Sequence, residues 1–240
     1  WLSDRITADM SEETIVMSVG GSLIVPDQID TEFLTTLKDL IESQTANNGR
    51  RFIIIAGGGQ TARRYQDAAA AVSKLENEDL DWLGLHATRL NGHLLLTIFR
   101  KLAHRVMVTN PDDVLDMPKD APLIIAAGYR PGASTDLRAV QIAQRVGAKK
   151  VINLSNIEYV YNDDPKQNPS AEKIEDITWE DFRKLIPKEW GPGLSSPFDP
   201  VAAKEAQAKD IEVALINGAN LPSLVNYLDG KNFTGTRIHN

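Results

Sequence analysis

Apolar residues along the chain fall into two rhythms. In the first they crowd into short stretches: Thr14–Val19 (TIVMSV), Phe52–Ala56 (FIIIA), Leu123–Ala127 (LIIAA), Val151–Leu154 (VINL) and Ile211–Ile216 (IEVALI). Short apolar runs rich in β-branched residues predict strands buried on both faces of a sheet. Arg105–Thr109 and a closing edge strand at Gly235–His239 are expected to join them. In the second rhythm apolar positions return every three or four residues, as one face of a helix requires. Asp30 caps such a stretch, with Phe33, Leu34, Leu37, Leu40 and Ile41 on its inner face. Another opens at Ser134-Thr135-Asp136, carries Val140, Ile142, Ala143 and Val146, and closes at Gly147, the usual C-terminal residue. Further helices are expected from Gln60 to about Leu75, from Glu78 to about His104 with an interruption near Asn91-Gly92, and as a short turn over Pro111–Met117. Trp179–Leu185 follows the cap Thr178, Pro200–Lys209 follows the cap Asp199 with Pro in first position, and Leu221–Leu228 completes the set. Strands alternating with helices predict a three-layer α/β/α sandwich on a mostly parallel sheet. No low-complexity linker divides the chain, so one domain over 10–240 is expected. Met10 stands just before the first strand, and residues 1–9 read as a tag or upstream remnant.

The stretch Leu123–Lys166 shows how the parts fit together. A strand leads into the turn-rich Gly128-Tyr-Arg-Pro-Gly132, then a helix, a second strand, and a loop with a hairpin excursion over Tyr159–Lys166. That order makes a βαβ unit with parallel strands. Gly20-Gly21-Ser22 and Gly57-Gly58-Gly59 also follow apolar strands. Parallel strands put all three glycine loops on one sheet edge, where ligands of open α/β sheets bind. Glycine lets backbone N–H groups approach an anion, and the helices that follow add partial positive charge. Three such loops can cradle a nucleoside triphosphate and a phosphorylated acceptor. Neither a P-loop lysine motif nor a dinucleotide Gly-x-Gly-x-x-Gly fingerprint is present.

Composition narrows the chemistry. The 240 residues carry a net charge of -7, which argues against a nucleic-acid surface and requires a locally positive pocket for any anionic substrate. With no Cys, thiol nucleophiles, disulfides and Cys-ligated zinc are excluded, and the expected compartment is the cytoplasm. The four His form no metal-ligand motif, and no apolar run reaches membrane-spanning length.

The motifs TIVMSVGGSLIVP, IIIAGGGQTARRY, DWLGLHATRLNGHLL, GYRPGASTDLRAV, NLSNIEYVYNDDPK, SPFDPVAAK and GTRI occur in this order across almost the whole chain. In them the chain resembles the amino acid kinase superfamily and, within it, the archaeal-type uridylate (UMP) kinases. The resemblance implies transfer of the ATP γ-phosphoryl group to UMP, giving UDP for pyrimidine nucleotide synthesis, with Mg²⁺ as cofactor. It also implies a homo-oligomer, hexamer or dimer, since such kinases are commonly hexamers built from dimers. Alternatives are another small-acid or phosphate kinase of the superfamily, or a non-catalytic nucleotide-binding protein like the related molybdenum storage proteins.

By position, the resemblance puts Gly58 and Asp81 at the UMP, and Tyr129, Arg130, Pro131, Gly132, Ala133, Ser134 and Thr135 around its phosphate. It puts Gly21, Ser22, Gly59 and Arg63 at the ATP phosphates, and Ser155, Tyr161 and Asp164 in the nucleotide loop. The chemistry agrees: Asp81 can accept from ribose hydroxyls, and Arg63 can fork onto a phosphate. Asp136, at the start of a helix, can orient Mg²⁺, a water or a lysine; by itself it also suits an N-cap or a first-turn acid. Many superfamily members carry a lysine two residues before the first Gly-Gly, where this chain has Ser18. The archaeal-type group commonly lacks it too. Arg63, Asp136 and Lys204 are therefore the catalytic candidates, with Arg63 expected to stabilise the transferring phosphoryl group. Glu158 and Tyr159 stand where the group usually has Asp and Gly, and Arg130 and the Trp190-Gly-Pro-Gly loop are further departures.

Overall fold

The computed structural model describes residues 13–189 and 196–240. The expectations for residues 1–9, Met10 and Trp190-Gly-Pro-Gly lie outside these. In chain order the strands are β1 (Thr14–Val19), β2 (Arg51–Ala56), β3 (Leu123–Ala126), β4 (Lys150–Ser155), β5 (Val160–Tyr161), β6 (Lys173–Ile174), β7 (Asp176–Thr178), β8 (Glu212–Asn217) and β9 (Thr236–His239). The helices are α1 (Gly21–Ile24), α2 (Thr31–Asn48), α3 (Gly59–Val72), α4 (Asn77–Ile98), α5 (Thr135–Val146), α6 (Trp179–Leu185), α7 (Pro200–Ala208) and α8 (Leu221–Leu228), with a 3₁₀ turn at Pro111–Asp116.

Seven strands form one sheet in the order β3-β2-β1-β4-β8-β9-β7. The first five are mutually parallel; β9 runs antiparallel to β8 and parallel to β7. Alternation along each strand feeds two cores. Val16, Ile53, Ile55, Val151 and Val213 face a layer that includes α5, α6 and α7, where Trp179, Phe182 and Phe198 are fully buried. Trp179 satisfies its indole N–H on the Ile211 carbonyl at 2.9 Å. Ile15, Met17, Ile54, Ile152 and Ala214 face the other layer, with Leu34, Leu37 and Ile41 of α2, Leu95 of α4 and Leu224 of α8. The three-layer α/β/α sandwich is thus present. Caps at Asp30, Ser134, Thr178 and Asp199 each accept a backbone N–H of the first helical turn.

Several boundaries differ from the sequence reading. α4 runs unbroken through Asn91-Gly92 and stops at Ile98. Gly92 serves close packing: a Cβ there would lie 2.7 Å from Met107 Sδ. The expected strand at Arg105–Thr109 is reduced to isolated bridges, Ala103 with Leu123 and Val108 with Ala126. Five steps on one side oppose three on the other, and that mismatch breaks the ladder. The last strand, β9, is not an edge, because the short β7 pairs outside it. The hairpin excursion is wider than expected, with β5 pairing β6 across residues 160–174.

Candidate functional site

The chain winds one way from β1 through β2 to β3, then returns to build β4 and β8 on the other side. The reversal between β1 and β4 is the kind of switch point where open α/β sheets bind ligands at strand C-termini. Two polar residues interrupt the apolar strands there. Ser18 (1% exposed) and Asn153 (5% exposed) are register partners across the β1–β4 pair. Both donate to Asp136 Oδ1 at 3.3 Å, from Ser18 Oγ and Asn153 Nδ2. Asp136 Oδ2 accepts the backbone N–H of Asp199 at 3.2 Å. Asp199 is 5% exposed; its Oδ1 caps α7 by accepting the Ala202 N–H at 2.7 Å. Its Oδ2 is buried without a hydrogen bond of good geometry, although the Ser134 hydroxyl is close enough to favour the charged form.

Burial, and then the neighbouring Asp199 charge, push the Asp136 carboxyl up to about 7, against the Asp199 N–H and the Ser18 hydroxyl. Burial raises Asp199 too, against the Ala202 N–H and the Ser134 hydroxyl. Neither carboxylate has an ion-pair partner among the described residues. Two adjacent buried acids without a cation suit a positively charged visitor. Mg²⁺ typically takes one or two protein carboxylates and completes its shell with substrate phosphates and water. The pair fits that demand. Among the described residues no cluster of three or more His, Cys, Asp or Glu could hold a metal without such help.

The first two glycine loops interlock beside this pair. A Cβ on Gly21 would lie 1.9 Å from the Gly59 nitrogen, and one on Gly59, whose φ is +61°, 2.1 Å from the Gly21 carbonyl oxygen. Only glycine permits that contact. Buried Asn91 of α4 donates to the Gly57 and Gly58 carbonyls at 2.8 and 3.1 Å. The loop carbonyls are therefore tied down. The N–H groups of Gly21, Ser22, Gly58 and Gly59 have no acceptor among the described residues. Four free backbone donors at the starts of α1 and α3 form an anion cradle.

A cavity of about 310 Å³ opens next to them. It is lined by Gly58, Gly59, Arg63, Asp81, Arg130, Pro131, Gly132, Ala133, Ser134 and Thr135, with Thr88 and Gly128 at its base. Arg63 donates from Nε to Gln60 Oε1 at 2.9 Å and is otherwise exposed. Asp81 Oδ2 accepts the Gly132 N–H at 2.9 Å; burial raises its carboxyl, that N–H opposes the shift, and Glu78 adds to it. One face of α4 carries the rest of the wall. Thr88 Oγ1 accepts the Gly128 N–H at 2.9 Å, and Arg89 donates to the Gly128 and Tyr129 carbonyls at 3.1 and 2.9 Å.

The structure thus gathers the acceptor-side candidates and places Arg63 among them. Ser155, Tyr161 and Asp164 stand apart, at and after the end of β4. Ser155 closes that strand and its carbonyl accepts the Gly218 N–H at 2.8 Å. Tyr161 lies in β5, and Asp164 organises a turn through the Lys166 N–H at 2.9 Å. Tyr159 is nearly buried, with Lys173 Nζ 4.7 Å from its ring centroid. The Tyr129 ring does not line the cavity. Lys204 is exposed on α7, outside the cavity, with no ion pair among the described residues. Asn91, Thr88, Arg89 and Asn153 were not among the sequence candidates. A polar residue alone in an apolar strand is the signal that marks Asn153. The other three needed the direction of α4. A second cavity, of about 440 Å³, lies at the opposite end of the sheet by Lys149, Lys150 and Tyr227, away from the glycine loops.

The model of the amino acid kinase family matches residues 13–217. The uridylate kinase of Pyrococcus abyssi is 30% identical over 225 residues, covering 93% of this chain and 98% of that protein. The uridylate kinase of Methanocorpusculum labreanum is 31% identical over 229 residues, covering 94% and 95%. The crystal structure of uridylate kinase from Archaeoglobus fulgidus superposes with a TM-score of 0.77 at 25% identity, covering 94% of this chain and 99% of that one. The UMP kinase from Ureaplasma parvum superposes with a TM-score of 0.78 at 20% identity, covering 95% and 99%, and shares the fold.

Proposed function

The chain belongs to the amino acid kinase family, and we propose that it transfers the γ-phosphoryl group of ATP to the phosphate of UMP, giving ADP and UDP. The four free N–H groups of the interlocked glycine loops, beside the Asp136–Asp199 pair, are the observation that carries this reading. They hold phosphate oxygens without a P-loop lysine. Arg63 meets the transferring phosphoryl group of ATP and Arg130 the acceptor phosphate, both from the wall of one cavity, and Asp81 receives the ribose hydroxyls. Ser155, Tyr161 and Asp164 line the donor-nucleoside side. No residue forms a covalent intermediate; in-line transfer follows from positioning and charge stabilisation. Asp136 and Asp199 are the residues that would hold a Mg²⁺ ion arriving with ATP, which when bound neutralises charge on its phosphates. Ser18 and Asn153 keep the Asp136 carboxylate aimed at the switch point.

An ATP-consumption assay against UMP, CMP, dUMP, acetylglutamate and isopentenyl phosphate tests the assignment. UMP is the expected substrate, with kcat/KM for dUMP lower by at least about 10², because a site built to bond a hydroxyl is left unpaired without it. Equal rates with UMP and dUMP would remove Asp81 from the ribose. ATP binding without turnover of any acceptor would overturn the kinase reading.

A homo-oligomer is part of the same proposal. α3 buries none of its residues, and Tyr65, Val72, Trp82 and Leu90 on α3 and α4 are exposed. A second copy covering this face accounts for that apolar surface. Light scattering of the wild type and of a Tyr65→Glu/Leu90→Glu variant is expected to show a dimer or hexamer reduced to a smaller species. A wild-type monomer would refute it.

A further inference from the structure

Arg138 is a charged residue in an unusual place. It is 4% exposed, has no ion pair among the described residues, and its Nε has no hydrogen bond. Burial, and then the nearby Arg130, hold its pKa below the usual range, while Tyr129 and Glu205 pull the other way. Burying an unpaired guanidinium is costly, so packing alone does not explain it. Its contacts go to its own helix and to the loop before it. Nη1 donates to Gln141 Oε1 at 2.7 Å and Nη2 to the Arg130 carbonyl at 3.4 Å. The guanidinium carbon lies 5.5 Å from the Tyr129 ring centroid, and that of Arg130 lies 5.7 Å from the same ring. On the other side, α4 takes the loop by its backbone, through Arg89 to the Gly128 and Tyr129 carbonyls and through Asp81 to the Gly132 N–H.

We infer that Arg138 is a positioning residue for the acceptor loop: by holding the Tyr129 ring and the Arg130 carbonyl it sets where Arg130 and Gly132–Thr135 meet the acceptor phosphate. This rests on the reading of Tyr129–Thr135 as the acceptor loop. Tyr129 then acts as the anchor that Arg138 grips, and not as a contact to the nucleotide. Cation–π contact is the main force of the grip, with the long hydrogen bond to the Arg130 carbonyl, 3.4 Å, beside it.

The test uses full-length Arg138→Met, Tyr129→Leu, Tyr129→Phe and the Arg138→Met/Tyr129→Leu double variant. Arg138→Met and Tyr129→Leu are each expected to raise the KM for UMP about tenfold, with the KM for ATP within about twofold. Tyr129→Phe keeps the ring and is expected to raise it less than about threefold. The double variant should fall within about twofold of either single one, since both remove the same contact. Amide exchange of Tyr129, Arg130 and Gly132 in the nucleotide-free protein should quicken about tenfold in Arg138→Met while β1 and β4 keep their rates. An unchanged UMP KM with unchanged loop exchange would overturn the inference. So would equal shifts in both KM values with a lowered Tm, the mark of general destabilisation. If the wild type fails to phosphorylate UMP, the functional reading falls by itself, and the exchange measurement still decides the role of Arg138.

Discussion

Asp136→Asn is expected to lower kcat by about 10²–10³ while the KM for UMP moves less than about threefold. The carboxylate sits at the switch point, held by Ser18, Asn153 and the Asp199 N–H, and next to a second buried acid. Its charge matters most when cationic groups gather around the transferring phosphoryl group. A normal kcat with a raised KM would make Asp136 a binding residue or a helix-start acid only. The same substitution has an opposite effect on stability. With its carboxyl raised from 3.8 to about 7, folded Asp136 binds more protons than the unfolded chain across that window. Stability from this group is present below pH about 4 and is lost as pH rises through about 7. Without nucleotide or divalent cation, the wild-type Tm should therefore fall between pH 5 and 8 more steeply than that of Asp136→Asn. Asp199, raised in the same direction, leaves part of the slope in the variant. Parallel Tm–pH curves for the two proteins would show that Asp136 is not the titrating group.

Arg63→Ala is expected to lose about 10²–10³ in single-turnover rate at saturating ATP, the scale of removing one charge-stabilising donor. No lysine stands at Ser18, whose hydroxyl is engaged by Asp136. Positive side-chain charge for the phosphoryl group must then come from the cavity wall, which Arg63 and Arg130 both line. Arg63 lies one turn into α3, whose start carries the free N–H groups of Gly58 and Gly59. Its only side-chain hydrogen bond among the described residues, from Nε to Gln60, leaves both terminal nitrogens available. Lys204→Ala is expected to lose less, because that side chain is exposed and lies outside the cavity. A dead Lys204→Ala with normal Arg63→Ala would reverse the roles and displace the triphosphate toward α7.

The strands β1, β2, β3, β4 and β8, the caps at Asp30, Thr178 and Asp199, and the clustering of three glycine loops at one edge are legible in the amino-acid order; the structure adds that Ser134, and not Asp136, caps α5. These follow from local rules: run length, helical spacing, and which side chains accept a first-turn N–H. The family resemblance adds the proposed roles of Asp81 and the acceptor loop, because its motifs run in order along the chain. The rest depends on how the elements pack. Ser18 and Asp136 are 118 residues apart, and Asp136 and Asp199 are 63 apart, so their meeting depends on β1 and β4 being neighbours and on α5 packing across them. No periodicity distinguishes Asn91, which looked like a helix break, from a residue that ties down a glycine loop; the direction of α4 does. Tyr129 lies within an acceptor-loop motif, yet its ring turns to Arg138. A loop motif specifies the backbone path, while a side chain's direction is set by what packs against it.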